Sequence, residues 1–222
     1  MTEDKKRTEL ADNLEICSTP DRWAEWFEEA EASALAQWDS AHWPRLWNTD
    51  MTTTLELAPG AGRNAERLKE YARTLYLVDL NDYALDRCRA RFADYAGPCD
   101  IRYVKTDGTS LPGIEDESVT CVFSWDSMVH MDRTVVGQYL VEFARVMKPG
   151  ARGVIHHSNH GARSDEADIQ KNPHMRSNES AEHFLAQAEA AGLEMLEQLV
   201  FEWDTYEDLD CISEFRKPPR RS

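Results

Sequence analysis

A glycine turn preceded by an acidic residue is the first feature of the sequence that could do chemistry. Residues 55–64 are LELAPGAGRN, in which Gly60 and Gly62 allow a tight backbone turn and Glu56 lies just upstream. A dinucleotide-binding turn has the pattern G-x-G-x-x-G and holds a pyrophosphate at the start of the next helix. Here Ala58 occupies the first glycine position, and a carboxylate at Glu56 would repel a pyrophosphate. The turn instead suits a ligand that carries an ammonium group.

Acidic and polar residues also follow the next three predicted strands. Asp79 ends the second strand, where a carboxylate can accept both hydroxyls of a ribose, although it could also cap the next helix. Asp107 and Gly108 end the third strand, where an acid can accept from an adenine amine. Ser124 and Trp125 end the fourth. S-adenosylmethionine has an amino acid tail, a ribose, an adenine and a sulfonium but no phosphate, so this ordered set predicts it as the cofactor, with Ser124 and Trp125 near its methyl group.

Candidates for the acceptor chemistry follow the fourth and fifth strands. Asp126 and His130 flank the end of the fourth strand, and His156, His157 and Asn159 end the fifth. Histidine is the natural base at pH 7. Successive residues of a strand face opposite sides, so one of the two adjacent histidines faces the cleft, and we favour His157, nearer the strand's exit, over His130. These histidines could instead be structural.

A metal site and a role for the next loop are weaker alternatives. Asp126, His157 and Asn159 could hold a divalent cation, but an oxygen-rich magnesium site normally has more carboxylates, so we predict no metal ligands. Residues 160–178 are polar and predict a long loop. His174 and Arg176 in that loop could reach over the cleft, where an arginine would bind an acidic substrate or only pin the loop.

The elements that must position these residues alternate between strand and helix after residue 50. An alternating pattern predicts a mostly parallel α/β sheet with helices on both faces, a Rossmann-like fold. The sequence after residue 192 predicts two antiparallel strands at the edge of the sheet. The predicted strands before them cover 52–58, 74–80, 101–107, 119–125 and 153–158, and the predicted helices cover 64–71, 84–96, 133–148 and 180–191.

The first 50 residues predict a helical cap, separate from a Rossmann-like domain over 51–222. Aromatic and small residues recur there at three- and four-residue steps, as in an amphipathic helix. Such a stripe could be a lid over a ligand, but we favour a face that docks on the domain. Its members are Trp23, Trp26, Phe27, Ala30, Ala34 and Trp38.

Residues 52–160 resemble the class I methyltransferases that use S-adenosylmethionine. The resemblance rests on LELAPGAGRN, LYLVDLN, VKTDGTSLPGIEDESVTCVFSWDSMVHM and VMKPGARGVIHHSN. The stretches LELAPGAGRN, FSWDSMVHMD, HHSN and KNPHMRS further resemble a bacterial subgroup associated with glycan and surface-polysaccharide modification. Ala58 departs from the family's usual first glycine. The cofactor contacts predicted from the residues and the resemblance together are Glu56, Ala58, Gly60, Gly62, Asp79, Leu80, Asp107, Gly108, Ser124 and Trp125.

Composition bounds the partners of the protein. The chain has 41 acidic and 25 basic residues and a formal net charge of −16, which disfavours a nucleic-acid substrate. Its five cysteines form no C-x-x-C pair, which argues against a disulfide framework or a structural zinc. We see no secretory signal and no apolar stretch long enough to span a membrane, so we expect a cytoplasmic protein.

These features together predict a methyltransferase that transfers a methyl group directly to a hydroxyl. The acceptor would be a sugar, a glycan or another small molecule, with His157 or His130 as general base and Asp126 orienting it. N-methylation of a small amine, a nicotinamide-dependent oxidoreductase and a non-catalytic cofactor-binding protein remain alternatives. A homodimer is possible.

Overall fold

A computed structural model describes residues 20–220, and within them the side chains other than those of residues 20–25, 29 and 35. The first 19 residues of the expected helical cap and the side chain of Trp23 therefore lie outside the described part of the chain.

Seven strands form a single mixed sheet in the order β3-β2-β1-β4-β5-β7-β6. The first five run parallel, while β7 runs antiparallel to both of its neighbours, β5 and β6. This topology confirms the predicted Rossmann-like α/β fold with antiparallel strands at its C-terminal edge. The strands are β1 Thr53–Leu57, β2 Thr74–Asp79, β3 Asp100–Lys105, β4 Val119–Met128, β5 Met147–Ser158, β6 Glu194–Trp203 and β7 Tyr206–Arg216.

Helices flank both faces of the sheet, and several begin at the residue types expected for caps. The side chains of Asn81, Asp132 and Ser180 each accept a hydrogen bond from a backbone N–H in the first turn of the helix that follows. The helices are α1 Pro20–Gln37, continued by a π-helical turn at Trp38–His42, then α2 Trp43–Leu46, α3 Ala65–Leu68, α4 Asp82–Arg91, α5 Arg133–Val146 and α6 Ala181–Ala190.

The central strands are buried on both faces, so their alternate residues serve two separate cores. Val122 of β4 and Ile155 of β5 pack in one core with α5 and α6. Phe123 of β4 and Val154 of β5 pack in the other with the segment that starts at Trp38. The same alternation decides which strand-end side chains face the site.

Three predicted boundaries are wrong for reasons of tertiary structure. Strand β4 continues three residues beyond the prediction, through an irregularity between Ser124 and Met128 in which Asp126 has a φ of 56°. Strand β5 begins at Met147, because that residue pairs with Val119 of β4. Helix α3 is only four residues long, much shorter than predicted.

Candidate active site

The glycine turn after β1 closes one end of a cavity of about 370 Å³. Gly60 has a φ of 57°, and Ala58 also adopts a left-handed φ of 54°, which is uncommon for a residue with a side chain. A Cβ at Gly60 would lie 2.9 Å from Cε1 of Phe27 in α1. The glycine therefore allows both the turn and the close approach of α1.

Asp79 contributes a buried carboxylate to the same cavity, at the carboxyl end of β2. Its side chain accepts a hydrogen bond from the backbone N–H of Asn81 at 2.8 Å. Burial raises the pKa of Asp79 to about 7, because a carboxylate loses its hydration there. Such a group can accept from the two hydroxyls of a ribose, which supports its predicted role.

Glu56 is buried behind the turn and does not line the cavity. One carboxylate oxygen has no hydrogen-bond partner among the described residues. Burial raises the pKa of Glu56 to about 8, and the nearby Arg63 opposes that rise. A buried acceptor without a donor is unusual, so a ligand or water that reaches the turn would find an unsatisfied oxygen there.

The structure brings six of the ten predicted cofactor contacts to the cavity wall, and places four elsewhere. A Cβ at Gly62 would meet Sγ of Cys88 at 3.2 Å, so that glycine lets α4 pack against the turn. Ser124 donates to the carbonyl of Leu57 at 2.9 Å and ties β4 to β1. Glu56 and Asp107 also lie off the wall. The six on the wall are Ala58, Gly60, Asp79, Leu80, Gly108 and Trp125.

Asp107 is occupied by its own loop. Its carboxylate accepts hydrogen bonds from the backbone N–H and the hydroxyl of both Thr109 and Ser110. The bond from the Thr109 backbone is the main reason that its pKa lies below the usual value. The adjacent Gly108 lines the cavity, so this loop borders the site through its backbone.

Helix α1 covers the cavity. Arg63 donates to the carbonyl of Ala30 at 2.9 Å, and Arg91 pairs with Glu31 at 2.5 Å, so two arginines of the domain hold the helix in place. Trp26 lines the cavity from above. The aromatic stripe thus both docks on the domain and covers a ligand-sized space, whereas the sequence favoured docking alone.

Asp126 and His130 lie on the cavity wall, as expected of residues at the acceptor end. A carboxylate oxygen of Asp126 lies 3.4 Å from Arg63, and the other lies 3.9 Å from Arg176. Nδ1 of His130 lies 3.0 Å from the carbonyl oxygen of Met175. Burial lowers the pKa of His130 to about 4, so the imidazole is neutral at pH 7.

His157 does not line the cavity, and the preference for it as the base is corrected. Its ring stacks on Phe184 at 4.2 Å between centroids, and Nε2 lies 2.8 Å from Oγ of Ser213. Burial lowers the pKa of His157 to about 3. The alternation of β5 turns His156 to the cavity side instead, where its ring packs on Trp125 at 4.6 Å.

A buried polar network behind the acceptor end went largely unpredicted. Nδ1 of His156 accepts from the backbone N–H of Asp126 at 3.2 Å, and Nε2 lies 2.9 Å from Oδ2 of Asp210. Arg176 forms a two-point ion pair with Asp210, at 2.8 and 2.6 Å. The sequence pointed to Arg176 as a loop residue that could reach over the cleft, and it does line the cavity, but nothing local signalled Asp210, which lies on β7.

A family model matches the central part of the sequence. Residues 54–150 match a family model described as a methyltransferase domain. No curated protein matches the chain. The matched segment runs from within β1 to the start of β5 and contains the glycine turn, Asp79 and Asp126.

Solved structures share the fold at low sequence identity. An S-adenosylmethionine-dependent methyltransferase from Mesorhizobium loti is 14% identical with a TM-score of 0.63, covering 80% of this chain and 99% of its own. Geranyl diphosphate C-methyltransferase from Streptomyces coelicolor A3(2), bound to Mg²⁺, geranyl-S-thiolodiphosphate and S-adenosyl-L-homocysteine, is 15% identical with a TM-score of 0.64, covering 84% and 75%. The [4+2]-cyclase SpnF is 16% identical with a TM-score of 0.65, covering 88% and 83%.

The fold is that of the Rossmann-like methyltransferases, and the domain match supports an S-adenosylmethionine-dependent methyltransferase. Asp79, the left-handed turn at Gly60 and the unsatisfied oxygen of Glu56 fit that cofactor. Within residues 20–220, no group of three or more His, Cys, Asp or Glu side chains could hold a metal ion. No helix in the same range is long and apolar enough to cross a membrane.

Proposed function

We propose that the protein transfers a methyl group from S-adenosylmethionine to a hydroxyl of a small molecule such as a sugar, a glycan unit or another compact alcohol. One observation carries this proposal: a single cavity holds Asp79 at the carboxyl end of β2 and, beyond β4, both Asp126 and His130. A carboxylate that can accept hydrogen bonds from a ribose, Asp79, and a side chain that can accept a proton, His130, thus border the same cavity.

The cofactor supplies a methyl group that is already activated, so the protein has to align the acceptor and receive its proton. His130 is the candidate for that task because it lines the cavity and is neutral at pH 7, although its lowered pKa makes it a weak base until a ligand changes its surroundings. Its Nδ1 carries a proton when it donates to the carbonyl of Met175, which leaves Nε2 as the basic nitrogen. Asp126 orients the acceptor, and α1 excludes water from above.

The same arrangement supports the proposed domain division. We assign residues 1–50 to a cap and 51–222 to the catalytic domain, because α1 contacts the domain through Phe27, Ala30 and Glu31 over the cavity. The cap thereby completes the site.

His130→Gln tests the proposed base, with His157→Gln as the matched control. We expect S-adenosylhomocysteine to bind His130→Gln as it binds the wild type, while methyl transfer to hydroxyl compounds falls by about 10²–10⁴-fold. His157→Gln should lower thermal stability and keep turnover per folded molecule. The measurements are calorimetric binding and transfer of a labelled methyl group to panels of sugars, phenols and amines.

Each contrary result has a definite meaning. Wild-type turnover in His130→Gln would remove the base from the mechanism. Transfer to amines alone would replace O-methylation by N-methylation, and binding of the cofactor without transfer to any acceptor would indicate a binding protein.

A further inference from the structure

The buried arginine of the long loop is the strongest unassigned group at the acceptor end of the cavity. Arg176 is only 1% exposed, yet it lines the cavity beside Asp126 and Trp203. Burying a guanidinium costs free energy unless the charge is paired and hydrogen-bonded. Asp210 provides the pairing, and the Asp126 carboxylate on the cavity wall lies 3.9 Å from Nη2, beyond hydrogen-bond distance, so the cavity-facing N–H groups remain to be assigned.

The hydrogen bonds of Arg176 leave donors for a ligand. An arginine carries five N–H donors. Nε and Nη2 donate to the two oxygens of Asp210, and Nη1 donates to the carbonyl of His174 at 3.2 Å. Among the described residues these are its hydrogen bonds, so Nη1 and Nη2 each keep one N–H for a group in the cavity.

The guanidinium is held rigidly in that orientation. Its Cζ lies 4.9 Å from the centre of the Trp203 ring, which stacks against one face. Asp210 is itself fixed by His156, whose other nitrogen accepts from the backbone of Asp126. Arg176 is therefore preorganised by its ion pair with Asp210 and by the ring of Trp203, as a donor to a reacting atom should be.

The charges around this end are already balanced. Arg176 is paired with Asp210, and Asp126 lies 3.4 Å from Arg63. An anionic or a cationic group would lose its hydration here without a free counter-charge, whereas an uncharged hydroxyl needs only one donor and one acceptor.

We propose that Arg176 donates a hydrogen bond to the acceptor oxygen, and that the site thereby selects, among the hydroxyl compounds of the proposed function, an uncharged alcohol with an apolar or planar skeleton over a sugar or glycan unit. This rests on the proposed function. The oxygen forms a bond to the methyl carbon, the carbon–sulfur bond breaks with its electron pair on sulfur, and the hydroxyl proton passes to Nε2 of His130. Trp26, Trp203 and Met131 line the space for the skeleton.

Small aromatic probes test this selection in the wild-type protein saturated with S-adenosylhomocysteine. Ligand-observed NMR at pH 7.5 would rank phenol, aniline, benzoate, benzylammonium and toluene by dissociation constant. We expect phenol to bind at least tenfold tighter than toluene and at least fivefold tighter than the other three. Tightest binding of benzoate, benzylammonium or aniline, or equal binding of phenol and toluene, would overturn the proposal.

A variant pair assigns the preference to the arginine. Arg176→Met with Asp210→Asn removes the cation and its partner together, so no uncompensated charge is buried, and it should abolish the preference for phenol over toluene. Arg163→Met is the matched control, because Arg163 lies in the same loop with a 57% exposed side chain, and it should keep the preference.

The outcomes separate the two proposals. A double variant that folds, binds S-adenosylhomocysteine and still binds phenol tenfold tighter than toluene would refute the role of Arg176 without contradicting the proposed methyltransferase activity. Absence of S-adenosylhomocysteine binding by the wild type would refute both the proposed methyl transfer and the role of Arg176. If the double variant does not fold, the ranking of probes by the wild type still decides whether an uncharged hydroxyl is selected.

Discussion

Asp79 and Glu56 are acids that the fold buries beside the glycine turn. Desolvation disfavours the ionised form of each, so the pKa of Asp79 rises to about 7 and that of Glu56 to about 8. A protein selected only for stability would replace such groups. Asp79 lines the cavity and Glu56 lies behind its glycine turn, and buried acids so placed are the pattern expected where a ligand supplies the missing donors.

Asp79→Asn should weaken binding of S-adenosylhomocysteine by about 10–100-fold, because an amide has one acceptor oxygen where the ribose needs two, and bonds to a charged group are worth about 1.5–3 kcal/mol. The same variant should raise the melting temperature of the ligand-free protein at pH 8. Calorimetry and thermal unfolding measure the two effects. Asp82→Asn, with a 75% exposed side chain in the next turn, is the control and should change neither by much.

The raised pKa values also predict opposite pH dependences for stability and for binding. Between about pH 4 and pH 7–8, the folded ligand-free protein keeps protons that the unfolded chain has lost, so its stability falls as pH rises through that window. The ionised form of Asp79 binds the ribose, so affinity for S-adenosylhomocysteine should rise with pH up to about 7.

Titrations at pH 5.5, 6.5, 7.5 and 8.5 would measure this dependence. In Asp79→Asn the rise in affinity should shrink markedly. An affinity that is constant over this range in the wild type would contradict the ribose contact by an ionised Asp79.

At the scale of elements, sequence periodicity predicted the sheet because the central strands are buried on both faces. Runs such as VTCVFSW are almost wholly apolar, and that signal is local. The bulge that carries β4 on to Met128 is not local. Asp126 adopts its left-handed φ with its N–H bound to His156 and its carboxylate between two arginines, all distant in the chain.

The choice between His156 and His157 failed for a related reason. Alternation along β5 predicts that one of them faces the cavity, but the sequence pattern does not tell which of the two it is. The orientation is decided by β7, which pairs with β5 and provides a hydrogen-bond partner for each ring: Asp210 for His156 and Ser213 for His157. The glycine turn and Asp79 were predictable because both directly follow a strand.

The contact between α1 and the glycine turn can be tested by a substitution at Gly60. Gly60→Ala should cost about 1–2 kcal/mol for the left-handed backbone, and the new Cβ should also push Phe27 and α1 away from the cavity. Gly113→Ala shares the positive φ of 73° but has open space around it. We therefore expect both to lower the melting temperature, and only Gly60→Ala to weaken S-adenosylhomocysteine binding, by tenfold or more.

Phe27→Leu in the Gly60→Ala background sharpens the comparison. A smaller side chain should make room for the added methyl group and recover part of the affinity. Equal affinities in Gly60→Ala and Gly113→Ala would show that the packing of α1 on the turn has no part in binding.

The whole molecule joins three distant parts of the chain around one cavity. Helix α1 covers it, the carboxyl ends of β1, β2 and β4 form its floor, and the loop after β5 brings Arg176 to its far side. Closing the cavity thus orders segments that are far apart in sequence. A ligand that fills it contacts all three, so its binding energy should appear as stability of the entire fold.

S-adenosylhomocysteine at 100 times its dissociation constant should stabilise the protein by about 2.7 kcal/mol. For a chain of this size that corresponds to a rise in melting temperature of about 5–10 °C in a single cooperative transition. NAD⁺ at the same concentration should give no rise, because Ala58 replaces the first glycine of the turn pattern that holds a pyrophosphate. Differential scanning calorimetry measures both ligands in one buffer. A stabilisation by NAD⁺ that equals or exceeds that by S-adenosylhomocysteine would reverse the cofactor assignment.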